Sequence, residues 1–288
     1  MVRKEDIFPI GIGTWNIDCE SIEKEISALM YSFSQGQNYL SLYMLYNHGE
    51  VVKKLKKLID QVGRENLFIT VNLEPTIEDT QDVFEQLNSY LKILGIHYVD
   101  SLQLHSPMFS KIPLVDVYKE IQRLVSIGKV RYIGISNVNL EQLIRVHSVV
   151  PIDFFEGVYN LECKIYEDNG VLDYCKKNGI RFICYQVLRR GRTAKRNYPL
   201  LLELSKKYNK TQNQIIINWV WKEKNIYPLI KSTNVERICE NIQSFDFEMS
   251  REDYKKLNQF RSSEFDGVSI DWEGNGGITI DQLANQFD

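Results

Sequence analysis

A (β/α)8 barrel, or TIM barrel, is the fold class that this 288-residue sequence predicts. Three observations carry that expectation. Eight short runs rich in β-branched or aromatic residues alternate with longer amphipathic stretches. Most of the short runs read apolar throughout, as strands covered on both faces should. The rival architecture, an open doubly wound sheet, needs a GxGxxG turn after its first strand. Here Gly11-Ile12-Gly13-Thr14-Trp15-Asn16 has no third Gly and an aromatic residue where a helix should begin.

In chain order the strands are expected at 10–14, 39–43, 67–71, 101–105, 132–136, 154–159, 181–185 and 228–231. Helices are expected between them. The stretch 21–33 carries Ile22, Ile26, Leu29, Met30 and Phe33 near one stripe, and 83–94 carries Val83, Phe84, Leu87, Leu91 and Leu94. Segments 120–127, 140–146 and 212–221 follow the same period. Ser21, Thr76 and Ser250 each precede an acidic first turn and read as helix starts, while Gly63, Gly95, Gly128 and Gly179 read as stops. Asn234 is placed to cap a further helix that bears Arg237, Glu240 and Asn241. No Pro/Gly/Ser-rich linker interrupts the chain, so residues 1–288 are expected to form one domain, with 264–288 as a C-terminal loop and tail. Trp272, Ile278 and Ile280 suggest that this tail docks on the barrel.

Composition narrows the function classes. Lys plus Arg number 35 against 38 Asp plus Glu, a net charge of −3, which leaves no basic excess to neutralise nucleic-acid phosphates. No apolar run approaches the ~20 residues that span a bilayer, and Met1–Asp6 lacks the apolar stretch of a leader. Five scattered cysteines without CxxC spacing suggest reduced thiols in a cytoplasmic protein. Neither the cysteines nor His48, His97 and His147 show ligand spacing, so no metal is implied.

In a parallel barrel the chemistry sits at the carboxyl ends of the strands. Those ends supply Gly13, Thr14 and Trp15; Ser41 and Tyr46; Asn72; His105; Ser136 and Asn137; Asn160; Tyr185; Lys231 and Ser232. Polar groups mixed with aromatic rings suit a flat, polar small molecule. Tyr43, Met108 and Phe109 are expected to line the same pocket, whereas Cys184, Trp219, Trp221, Phe245 and Phe247 read as packing. The stretch from Lys231 to Asn241 ends a strand and opens a helix, which favours an anion at the helix start; a solvated charged turn is the other reading of that spacing. The run Arg189-Arg190-Gly191-Arg192 is likewise either a solvated loop or an anion contact.

Several long segments, in order, resemble the aldo-keto reductases. They are GIGTW at 11–15, YVDSLQLH at 98–105, GKVRYIGISN at 128–137, Val158-Tyr159-Asn160, and the stretch 230–241. The resemblance implies a barrel that binds NADP(H) and acts on a small-molecule carbonyl or alcohol. It would place Lys231, Ser232 and Arg237 on the adenosine 2′-phosphate and Glu240 and Asn241 on the adenine. Ser136 and Asn137 would hold the nicotinamide carboxamide, Tyr185 would stack on the ring, and Leu188 and Arg190 would line the pyrophosphate. Gly13, Thr14 and Trp15 belong to the same lining. Glu156 stands where the family has a carboxamide-binding Gln; it can accept from an amide but, ionised, cannot donate.

The reaction centre departs further. The family uses Asp, Tyr, Lys and His. Tyr46 and His105 match, but the Asp position is Ser41 and the Lys position is Asn72. Both halves of an ion pair are replaced by neutral groups able to hydrogen-bond each other, which is coherent because one buried charge left alone costs about 3–5 kcal/mol. The sequence therefore leaves three functions open: a reductase with an altered centre, an NADP(H)-binding pseudoenzyme or regulatory subunit, and an epimerase, lyase or dehydratase on the same barrel.

Overall fold

A computed structural model of the chain describes residues 1–18, 22–263 and 268–285. Cys19, Ser21 with its proposed capping role, and residues 264–267 and 286–288 of the tail lie outside the described residues. The elements run β1 (Gly11–Ile12), α1 (Ile22–Ser34), β2 (Tyr39–Tyr43), α2 (Glu50–Val62), β3 (Phe68–Leu73), α3 (Thr80–Leu94), β4 (Val99–Leu104), α4 (Leu114–Ser126) and β5 (Val130–Ser136). Then come α5 (Leu140–His147), β6 (Phe154–Val158), α6 (Ile165–Asp168), α7 (Val171–Lys177), β7 (Arg181–Tyr185), α8 (Arg192–Lys195), α9 (Pro199–Tyr208) and α10 (Gln212–Asn218). Last are β8 (Tyr227–Ile230), α11 (Val235–Ile242), α12 (Arg251–Gln259) and α13 (Ile280–Asn285). The eight strands are parallel, pair in sequence order, and close where Gly11 and Ile12 meet Leu229 and Ile230. This is the (β/α)8 barrel that the alternation predicts.

Every expected strand is present; 39–43 and 181–185 keep their bounds, and the other six shift by a residue or two at one or both ends. The helix signals fare unevenly. Thr76 is not the cap of α3: Asp79 is, its carboxylate accepting from the Gln81 and Asp82 amides in a capping box. The helix expected over 120–127 begins earlier, at Leu114. Helix α10 ends at Asn218, and a wider π turn carries Trp219–Glu223 onward. Ser250 does cap α12, accepting from the Asp253 amide.

The barrel interior is layered. Its floor is aromatic: Tyr39 and Tyr132 stack on Phe68 at 5.6 Å, and Phe154 meets Phe68 edge-on at 5.3 Å. At that end Asp100 is fully buried but doubly paired, with Arg64 at 2.6 Å and Arg131 at 2.5 Å, and it accepts from the Ile69 amide at 2.7 Å. Three consecutive strands are thus clamped at the face a TIM barrel uses for stability.

Two more buried charges fix the opposite half. Glu162 pairs with Arg189 and accepts from the Tyr198 hydroxyl at 2.9 Å, which ties the loop after β7 to the start of α9. Lys164 donates to the carbonyls of Leu257 (2.8 Å), Asn258 (2.9 Å) and Phe260 (2.9 Å), and its ammonium lies 5.1 Å from the Trp219 ring centroid. The last carbonyls of α12, which lack intrahelical donors, are satisfied by that ammonium. Beyond them the tail docks: Trp272 packs 5.8 Å from Tyr166 and Ile280 is buried, but Ile278 remains at the surface.

Candidate active site

The carboxyl ends of the strands gather an aromatic arc. After β2 the chain turns through left-handed backbone at Asn47, His48 and Gly49 (φ 49°, 52° and 81°), which carries Tyr46 over the barrel mouth. The half-buried Tyr46 ring meets Tyr43 edge-on at 5.2 Å, and Tyr43 lies 4.6 Å from the His105 ring. His105 in turn lies 6.3 Å from Tyr185. The two matching members of the expected reaction centre therefore flank one aromatic residue.

Below the arc, Ser41 and Asn72 are buried and bonded to each other. Asn72 Nδ2 donates to Ser41 Oγ (3.1 Å) and to the Leu42 carbonyl (3.2 Å). Its Oδ1 accepts from Gln103 Nε2 at 2.7 Å. Its carbonyl accepts from Tyr90 of α3 at 2.8 Å, and that hydroxyl also receives the Met44 amide at 2.5 Å. Burial pushes the Tyr90 phenol well up, so it remains a neutral clamp. A neutral network fills the space with its polar atoms satisfied, and no ion is needed there.

Gln103 extends this network toward Glu156. Gly134 makes the room: a Cβ there would stand 2.5 Å from Gln103 Oε1. Glu156 is buried on β6, in register with Ser136 of β5. Burial pushes the Glu156 carboxyl up to about 7, an effect opposed by the Gln103 amide against it. Glu156 Oε2 and Ser136 Oγ are both buried without a hydrogen-bond partner. Neighbouring Asn137, in left-handed backbone (φ 54°), is committed elsewhere. Its Nδ2 donates to the His105 carbonyl at 3.0 Å and its Oδ1 accepts from Tyr185 at 2.9 Å and Tyr166 at 3.4 Å. It ties the Tyr185 hydroxyl to the His105 backbone.

The remaining candidates lie along one side of the mouth. Gly13 donates to the Ile230 carbonyl at 3.2 Å and Thr14 Oγ1 to the Ser41 carbonyl at 2.8 Å, closing the β1 end. Arg190 stacks its guanidinium 3.7 Å from the Trp15 ring centroid, so the two loops meet, and Leu188 is half-buried beside them. At the end of β8, Lys231 pairs at 3.2 Å with Glu25, a buried residue of α1. Asn234 caps α11 by accepting from the Arg237 amide at 2.8 Å, and the Arg237 side chain is exposed. Ser232 and Asn241 line one small cleft with Ile230 and Ile238. Glu240 turns toward α10, accepting from Thr211 Oγ1 at 2.6 Å.

The structure thus assembles Tyr46, His105, Ser41, Asn72, Ser136, Asn137, Glu156 and Tyr185 around one mouth. It keeps the Lys231–Asn241 group at the β8–α11 corner. Sequence reasoning missed Gln103 and Glu25. The first had a signal, a lone amide in the apolar run Leu102-Gln103-Leu104; the second, on an amphipathic helix, had none. Cys184 and Trp219 are core residues as expected, and His147 bonds Tyr174 on a helix flank at 2.9 Å. Among the described residues no cluster of His, Cys, Asp and Glu could hold a metal, and no helix is long and apolar enough to cross a membrane.

A closed parallel barrel with its polar side chains gathered at the carboxyl strand ends defines a barrel of the enzyme type. The chain belongs to the Aldo/keto reductase family, whose model matches residues 9–262. It is 29% identical over 280 residues to aldo-keto reductase family 1 member A1 of Sus scrofa, covering 86% of this chain and 84% of that one. The thermostable aldo-keto reductase Tm1743 superposes with a TM-score of 0.82 at 30% identity, covering 88% and 95% of the two chains. The fold is shared as well by Bombyx mori AKR2E4, solved in complex with NADP (TM-score 0.75, 24% identity, 90% and 92% covered).

Proposed function

We propose that this protein is an NADP(H)-dependent oxidoreductase acting on the carbonyl or alcohol of a small molecule, with a reaction centre tuned by neutral groups. One observation carries the reading: Ser136 Oγ and Glu156 Oε2 stand on adjacent strands, buried and without partners, where the family holds a carboxamide. An amide satisfies both, its NH2 donating to the carboxyl oxygen and its carbonyl accepting from the serine hydroxyl. Lys231 and Arg237 suit the 2′-phosphate, and Trp15 with Arg190 flanks the path between the two ends.

When bound, the cofactor supplies a hydride. The chain does the rest. Tyr46 donates its phenolic proton to the carbonyl oxygen, and His105 orients that oxygen. Phenols titrate near ~10, so the proton is available at neutral pH. In place of a Lys–Asp pair, the hydrogen-bonded Ser41–Asn72 pair offers the developing phenolate no cation. General acid catalysis contributes ~10²–10⁴-fold, and part of that factor is forgone. The same neutral pair favours one second reading, an NADP(H)-binding regulatory subunit with slow turnover. The site belongs to a single barrel unit in a reducing compartment, the cytoplasm, consistent with four described cysteines that are free thiols.

The test is a fluorescence titration with NADPH followed by single-turnover reduction of a generic aldehyde. Binding with turnover lost in Tyr46→Phe supports the enzyme, and binding with turnover indifferent to Tyr46 supports the regulatory subunit. No binding overturns both.

A further inference from the structure

Glu156 is a buried carboxyl near the barrel mouth whose charge the proposed reaction does not use. It is buried, its Oε2 has no partner, and its strand neighbour across the ladder is Ser136. Resting on the cofactor reading above, this places an ionisable group at the carboxamide end of the nicotinamide. The two oxidation states differ there by one charge: the ring of NADP+ is cationic and that of NADPH is neutral, while their phosphates are alike.

We propose that Glu156 makes the cofactor site select oxidation state, its carboxylate holding cationic NADP+ in preference to neutral NADPH. A glutamine at the same position would accept and donate to the carboxamide equally in both states. A carboxylate adds attraction for a positive ring in a buried, weakly screened place, worth at least about tenfold in relative affinity. Only one of the two states of the carboxyl then has a preference. Protonated, Glu156 behaves as an amide would and treats both nucleotides alike; ionised, it favours the oxidised one. NADP+ binding to the protonated form expels the Glu156 proton to solvent, and NADPH binding leaves it in place. The protein thereby draws the bound pair toward its oxidised member, so hydride transfer from NADPH to a carbonyl is favoured over its reverse on the protein.

The neighbours of Glu156 do not imitate this behaviour. Tyr39 of β2 and Cys184 of β7 are both pushed up by burial and stay neutral between pH 5.5 and 8.5. From β4 comes the neutral amide Gln103, and from β5 Ser136 and Gly134. Tyr185 ends β7 as a phenol bonded to Asn137, and His105 is the imidazole at the mouth. Any dependence that His105 brings survives in Glu156→Gln, which separates the two groups.

The experiment measures dissociation constants for NADP+ and NADPH at pH 5.5 and pH 8.5, with native protein and Glu156→Gln. Native protein should favour NADP+ at least about tenfold more at pH 8.5 than at pH 5.5, and the variant should show one ratio at both. Calorimetry of the native protein in two buffers of different ionisation enthalpy provides a measurement independent of the variant. Near pH 6, NADP+ should release about half a proton or more and NADPH almost none. A native ratio that does not move with pH, or moves equally in the variant, overturns the selection while leaving the cofactor reading intact. If neither nucleotide binds at either pH, the cofactor reading falls and this inference with it.

Discussion

Beneath the mouth, Ser41, Asn72 and Gln103 occupy the interior without a charge among them, and each bonds the next. At the β8–α11 corner, Lys231, Glu25, Arg237 and Glu240 are all charged, and their partners are drawn from α1, α10 or solvent. The difference is one of dielectric. A buried ion is costly without its mate, so an interior pair is lost or kept as a unit, whereas a charge near water can change alone. It is the contrast expected if the proposed replacement of an Asp–Lys pair occurred as a unit while the Lys231–Asn241 corner kept its charges.

The sharpest way to break that comparison is to restore one interior charge. Asn72→Lys alone should cost about 3–5 kcal/mol of stability in urea denaturation, and adding Ser41→Asp should recover most of it. A single lysine tolerated as well as the double change would show that water reaches the site and that the contrast is false.

Next in size is the other interior carboxyl. The folded-state value of Glu156 is raised to about 7 from 4.5, so the native state holds a proton that the unfolded chain releases between those values. The stability linked to that proton is full below about pH 4.5 and is lost as pH rises through about 7, a change of about 3 kcal/mol. Denaturation at pH 5 and pH 8 checks it, and Glu156→Gln should remove the slope.

If the interior pair was tuning Tyr46, the Ser41→Asp, Asn72→Lys double variant should reduce a generic aldehyde with NADPH roughly 10–100-fold faster than native. Adding Tyr46→Phe should abolish the gain. A folded double variant with no gain would point to another substrate or reaction.

The smallest effects belong to the charged corner. NADPH should bind at least about tenfold tighter than NADH, and Arg237→Ala should erase most of that margin without touching NADH. Glu25→Gln frees the partly exposed Lys231 from its buried partner and should tighten NADPH by about two- to fivefold. Equal affinities for the two nucleotides would remove the corner's assignment.

The strands were legible because burial on both faces leaves a short, mostly apolar run rich in aromatic and branched residues, seen at 39–43 and 181–185, whose bounds the structure reproduces. Helices α2 and α9 are among those not traced from the same pattern. Helix α2 hides a full stripe of Val51, Val52, Leu55, Leu58 and Ile59 among lysines, and α9 opens on a Pro that reads as a break although Pro suits a first turn. At the site, residue types at strand ends located Tyr46, His105, Ser41 and Asn72, since a barrel sends those ends to one face. What spacing could not show were partners from distant elements. The Glu25–Lys231 pair spans 206 residues, and the bond that Tyr185 donates to Asn137 spans 48. Such pairings are set by packing and leave no local trace.

Lys164 carries a consequence for synthesis. Its side chain is made 93 residues before Leu257, the first of the three carbonyls that receive it. At translation rates of ~5–20 residues per second, the donor waits roughly 5–20 s for its acceptors. Through that interval the ammonium has to keep its hydration, so the wall formed by Trp219 and Tyr159, stacked at 5.7 Å, stays wet until α12 arrives. The last helix is therefore the event that dries this side of the barrel, and a nascent chain that stalls short of it presents an apolar, aromatic surface to whatever binds unfinished proteins.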